Sequence, residues 1–175
     1  MGSILKWLFF ASLSVILLLQ LRGIDSTLIS PETPFGIVGY ELAFTAARAQ
    51  AMLSAWRSMD VLETVRVSLG VDVAFLLAYP WFFRTSGQLL IRHDATRFDA
   101  VGCALATWVL ACTPLDLLEN LVLWRMLETG VTASAAALAG VAATLKFLLV
   151  LATGLWCLMA LSRRFSQGRP TPTSR

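Results

Sequence analysis

Four long apolar stretches, residues 4–21, 67–83, 98–124 and 132–161, leave this chain few folds to choose from. At a helical rise of about 1.5 Å per residue, each is long enough, or nearly so, to cross a hydrocarbon core of roughly 30 Å. Backbone N–H and C=O groups in lipid must be satisfied within the protein, and runs of this length achieve that as helices. Composition agrees, with 57% hydrophobic and 14% charged residues, against about 45–50% and about 25% in soluble domains. The expectation is an all-α polytopic membrane protein: one four-helix transmembrane domain over residues 1–165, followed by a disordered basic tail, 166–175.

The first stretch, "WLFFASLSVILLL" behind Lys6, has the look of a signal peptide. However, "QLRGIDS" after it offers no small-x-small cleavage site, which favours an uncleaved anchor. Basic residues set the orientation. With the N-terminus cytoplasmic, that side receives eight: Lys6, Arg84, Arg92, Arg97, Arg163, Arg164, Arg169 and Arg175. The other side receives five: Arg22, Arg48, Arg57, Arg66 and Arg125. The excess predicts a protein of the inner membrane with both ends in the cytoplasm. The arginines are scattered with no aromatic interleaving, so nucleic acid is not an expected partner.

Between the first two spans, "STLISPETPFGIVGYELAF" carries turn residues and then an apolar run too short to cross. "TAARAQAMLSAW" follows, with Thr45 as N-cap and Ala49, Met52, Leu53 and Trp56 at helical spacing. An amphipathic helix over 45–57 is expected on the outer surface or over the bundle mouth, with Trp56 at the interface. The run Ala135, Ala136, Ala139, Gly140, Ala143 and Thr144 in the fourth span is a close-packing pattern. Cys103, Cys112 and Cys157 are read as inert core thiols, and the lone His93 as a solvated loop residue.

The unusual feature is charge inside the spans: Asp72, Asp116, Glu119 and Lys146. Each such group costs about 2.5–3.5 kcal/mol on insertion scales, so they should face the bundle interior and one another. Asp116, Glu119 and Asn120 stand at i, i+3 and i+4 and share one stripe. Counting in from the outer ends places Asp72 and Glu119 about 9 Å deep and Asp116 about 13 Å deep. Lys146 falls nearer the middle, at about 21 Å. Tyr79 lies on the Asp72 face at i+7. Pro80 and Pro114 free the carbonyls of Leu76 and Leu110 beside this column, a condition tolerated where another helix, water or a ligand satisfies them.

Interhelical hydrogen bonds contribute about 0.6–2 kcal/mol each, less than the insertion cost, so structural glue alone does not account for three acids. They favour a site for a proton, cation or lipid headgroup, and a metal would fall to Asp72, Asp116 and Glu119. No cofactor is expected. Two alternatives stay open: an intramembrane lipid-modifying enzyme using paired carboxylates, and a non-catalytic accessory subunit. The lack of a nucleophile motif and of histidine ligands weighs against catalysis. Membrane lipid is the expected partner, with self-association or a membrane partner protein as the other, since a complete transporter of this size would need to oligomerise.

The segments "TPFGIVGYELAFT", "SLGVDVAFLLAYP", "LDLLEN" and "ATLKFLL" resemble a group of small bacterial four-helix membrane proteins of no assigned activity. The resemblance spans residues 33 to 150. It implies that Glu41, Asp72, Tyr79, Asp116, Glu119, Asn120 and Lys146 belong to one pattern.

Single cysteines placed at Ser26 and Ser174 check the orientation. In intact cells an impermeant thiol reagent should label position 26 and leave position 174 protected; the reverse result overturns it.

Overall fold

The computed structural model describes residues 2–92 and 96–167. His93 and the tail from residue 168 lie outside the described residues. Seven α-helices are described: α1 Ser3–Asp25, α2 Gly36–Glu41, α3 Ala46–Ser58, α4 Leu62–Leu90, α5 Arg97–Trp108, α6 Cys112–Thr129 and α7 Ala133–Gln167. No strand occurs among the described residues. Four spans are long and apolar enough to cross a membrane: α1, α4, the pair α5–α6, and α7. Helix α7 runs through residues 166 and 167, where the tail was expected to begin.

The third span is two helices joined by a 3₁₀ turn, Val109–Ala111. Pro114 has no N–H to give the carbonyl four residues earlier, and the chain tightens at that point before α6 proceeds. Pro80 sits inside α4. The carbonyl it frees, on Leu76, accepts instead from the Thr113 hydroxyl at 3.0 Å. The two proline sites are thereby joined across α4 and α6.

The segment between α1 and α4 caps one end of the bundle. Thr45 caps α3 by accepting from Arg48 N–H at 3.3 Å. The expected stripe of Ala49, Met52, Leu53 and Trp56 is buried against α2, α4, α6 and α7. Trp56 is presented to neither lipid nor solvent. It is fully buried, because its indole N–H finds the Leu28 carbonyl at 2.8 Å and its ring packs edge-on against Tyr40. Asp25, at the end of α1, accepts from Ile37 N–H at 2.7 Å and so ties α1 to α2. Gly36, with φ of +50°, lies directly over that carboxylate, where a Cβ would collide with it. At the mouth of the bundle Arg66 of α4 joins Glu128 of α6 at 2.7 Å and also pairs with Glu63.

At the opposite end Trp156 of α7 lies against Gly102 of α5, leaving no room for a Cβ there, and donates to Phe98 O at 3.0 Å. Arg164 of α7 donates to Leu89 O of α4 at 2.7 Å, and Trp7 of α1 donates to Ser86 Oγ of α4 at 2.8 Å. The start of α1 and the end of α7 therefore share one face of the bundle. Helix α1 rests on α4, with Phe10 stacked on Trp81 at 5.8 Å, and turns Leu8, Ile16 and Leu19 outward. Cys103 also faces outward, so of the three expected core thiols Cys112 is buried, Cys157 is half-buried against the Trp156 cluster, and Cys103 is exposed.

Trp56 is the anchor of the cap. Trp56→Ala should cost about 3–5 kcal/mol, seen as a lowered unfolding midpoint in detergent, with Trp7→Ala on the peripheral α1 costing clearly less.

Candidate functional site

Helix α7 places Lys146 on its inward face, and side chains on a helix lean toward its N-terminus. Its ammonium thus rises from mid-bundle into the layer of acids presented by α6. Nζ lies 2.7 Å from Asp116 Oδ1 and 2.9 Å from Glu119 Oε2, and donates to Glu119 Oε1 at 3.0 Å. The i, i+3 spacing on α6 delivers both carboxylates to the one ammonium. A third, Glu41 Oε2, stands 3.5 Å from Nζ. All four side chains are buried.

The second oxygen of Asp116 accepts from the Tyr79 hydroxyl of α4 at 2.9 Å. One turn toward the mouth, Asn120 donates to Asp72 Oδ2 at 2.6 Å. Asp72 has no ion pair among the described residues. Behind Lys146, Cys112 Sγ donates to its backbone carbonyl at 3.6 Å. The seven residues of the expected pattern fall into two neighbouring bonded sets, Asn120 with Asp72, and Lys146 with Glu41, Asp116, Glu119 and Tyr79.

Glu41 arrives from outside the spans. It ends α2, and the chain can descend that far because α7 offers Gly140 where Phe44 crosses. A Cβ on Gly140 would lie 2.6 Å from the Phe44 ring. Phe44 itself takes a left-handed φ of +57°, so the backbone carries some strain to hold the descent. The small-residue run of α7 therefore has a second use: it seats α2 as well as α6.

Three carboxylates face one ammonium, and Asp72 stands nearby without an ion pair among the described residues. At an effective dielectric near 20, like charges about 4 Å apart repel by about 4 kcal/mol, so full ionisation is disfavoured unless cations arrive. Burial pushes the Glu41 carboxyl above the ordinary carboxylate range; the Lys146 charge opposes this and the Asp116 charge adds to it.

A cavity of about 480 Å³ opens beside the cluster between α1, α2, α4, α6 and α7. Glu41, Asp72, Tyr79, Asp116, Asn120 and Lys146 form its polar wall together with Arg22, Asp25 and Ser68, and Leu18, Phe75, Phe83 and Val150 are among its apolar residues. Among the described residues, no group of three or more His, Cys, Asp and Glu is arranged to hold a metal ion. Around Asp116, Glu119 and Glu41 the ammonium of Lys146 takes the central position.

Thr113, Cys112 and Phe44 escaped sequence reasoning. Thr113 carried a usable signal, as a hydroxyl beside one proline at the level where the other frees a carbonyl. Cys112 and Phe44 carried none. The chain matches no protein family, no curated protein and no solved structure. What the site can do therefore rests on its geometry.

Removing one partner of a buried pair strands the other. Lys146→Met and Asp116→Asn should each cost about 3–5 kcal/mol, and the double variant should cost less than their sum. Unfolding midpoints of the three variants in detergent measure this; simple additivity would dissolve the network.

Proposed function

We propose that this multi-pass membrane protein belongs to the bacterial inner membrane, with both ends cytoplasmic, and that its intramembrane acid–lysine cluster takes up a proton or cation from the outer side. One observation carries the reading. Three carboxylates, Glu41, Asp116 and Glu119, share one ammonium beside a cavity that Asp72 also lines, and that arrangement holds more negative charge than Lys146 can neutralise. Burial and like charge both favour protonation or capture of a cation at such a place.

Several details support uptake from the capped end. Asp72 and Glu41 both line the cavity, and neither is held as tightly to Lys146 as Asp116 and Glu119 are. Asp72 lies about a turn nearer the mouth than Asp116, so an arriving cation meets it first. Acid–base chemistry on a lipid finds less support. Asp116 already accepts from Lys146 and Tyr79 on its two oxygens, and Glu119 is held on both of its own by Lys146. Neither Asp116 nor Glu119 is therefore left free to act as an acid or a base.

Infrared titration tests the proposal. The wild-type protein should show a protonated-carboxyl band persisting at neutral pH, weakened by Asp116→Asn with Glu119→Gln, whose amides keep the shape. Its absence at every pH, with no co-purifying cation, would leave the acids as structural ties. The sign of the pH effect on stability follows from Glu41. Its raised value means that the folded protein keeps a proton which the unfolded chain has already released. Stability should therefore fall as pH rises from about 4.3 through the folded-state value. Glu41→Gln should flatten that slope in unfolding midpoints measured across pH.

A further inference from the structure

The cavity beside the cluster does not stand alone. Helix α1 packs along α4, and among the described residues no substantial contact joins it to α7. A cleft is left between α1 and α7, floored by α4. Toward the other end of the bundle it holds a second, almost wholly apolar cavity of about 620 Å³, bordered by Trp7, Leu89, Gly154, Leu158 and Leu161. Phe83 borders both cavities. From Asp72 to Leu89 along α4 is about 26 Å, most of the thickness of a hydrocarbon core.

The polar end of this cleft has room for a positive charge. Asp72 accepts one hydrogen bond, from Asn120, and has no ion pair among the described residues. Glu41 is only 7% exposed, and its Oε2 accepts no hydrogen bond, standing 3.5 Å from Nζ of Lys146. Both carboxylates line the cavity. The lining carries four carboxylates, Asp25, Glu41, Asp72 and Asp116, against two cations, Arg22 and Lys146, so an anionic head would meet an excess of negative charge, whereas an ammonium replaces a missing counter-charge. Ammonium donors also match the orphaned acceptor that a buried carboxylate oxygen presents.

We propose that the cleft binds a single-chain amphiphile with a primary ammonium head. The ammonium docks between Asp72 and Glu41, and the alkyl chain passes Phe83 and lies along α4 between α1 and α7. The chain enters sideways from the lipid, because α1 leaves α7 uncovered. This inference rests on the cation reading of the cluster and names the kind of cation.

The test uses the full chain in phosphatidylcholine nanodiscs with hexadecylamine carrying a photoactivatable group at the chain end. A hexadecanol probe of the same design serves as comparison. The amine should label residues around Gly154 and Leu158 and be displaced by unlabelled hexadecylamine. Asp72→Asn should cut labelling about tenfold or more by removing the charge partner. Gly154→Leu should cut it too, by filling the chain's path. A Cβ there meets Phe83 at 3.6 Å, an ordinary contact, so that variant should fold. Equal labelling by the alcohol, or wild-type labelling in Asp72→Asn, overturns the proposal. The infrared titration on the same samples separates the two failures. A persistent carboxyl band without amine labelling sinks the amphiphile alone, and loss of both sinks the cation reading with it.

Discussion

The ammonium of Lys146, held among Asp116, Glu119 and Glu41, is the interaction on which the rest of this bundle turns. A lysine in hydrocarbon is costly, and so is each acid. Brought together they offset one another, but only if α6, α7 and the descending α2 hold their positions to within an ångström or so. Charge thus does what apolar packing in lipid cannot. Leu against Leu is hardly better than Leu against an acyl chain, whereas a stranded carboxylate is far worse than a paired one.

Other features read as conditions for that meeting. Gly140 admits the Phe44 ring, and so lets α2 come close enough for Glu41 to reach Nζ. Thr113 quiets the carbonyl that Pro80 frees, and so keeps α4 and α6 at a fixed level, where Tyr79 meets Asp116. Asp25 and Gly36 fasten the start of α2 to the end of α1. The cap formed by Trp56, Tyr40 and Leu28 holds down the whole segment between α1 and α4.

Much of this was legible in the residues. The four spans follow from length and hydropathy, and the buried face of α3 from the spacing of Ala49, Met52, Leu53 and Trp56. Lys146 meeting Asp116 and Glu119 follows from the cost of leaving any of them alone. Periodicity tells which face of α3 is apolar but not what lies against it, so the enclosure of Trp56 by Tyr40 and Leu28 could not be read from it. Nothing in the local pattern told that "GYELAF" would sink into the bundle. Glu41 stands among residues that read equally well as a surface loop, and nothing in its own spacing ties it to the spans. The 3₁₀ break before α6 was likewise implicit in Pro114, yet its position depended on how the neighbouring helix answered the freed carbonyl.

The order of the residues along the chain has a consequence for how such a protein is made. Glu41, Asp72, Asp116 and Glu119 all precede Lys146. Every nascent form that lacks α7 therefore carries its acids with no basic partner, and lipid is a poor place for them. Until the last helix emerges, those earlier segments gain little by leaving the watery interior of the insertion machinery, or else they leave it protonated. Arrival of α7 supplies the missing charge and the small-residue face in a single event. Helix α7 thereby acts as a latch on the segments made before it.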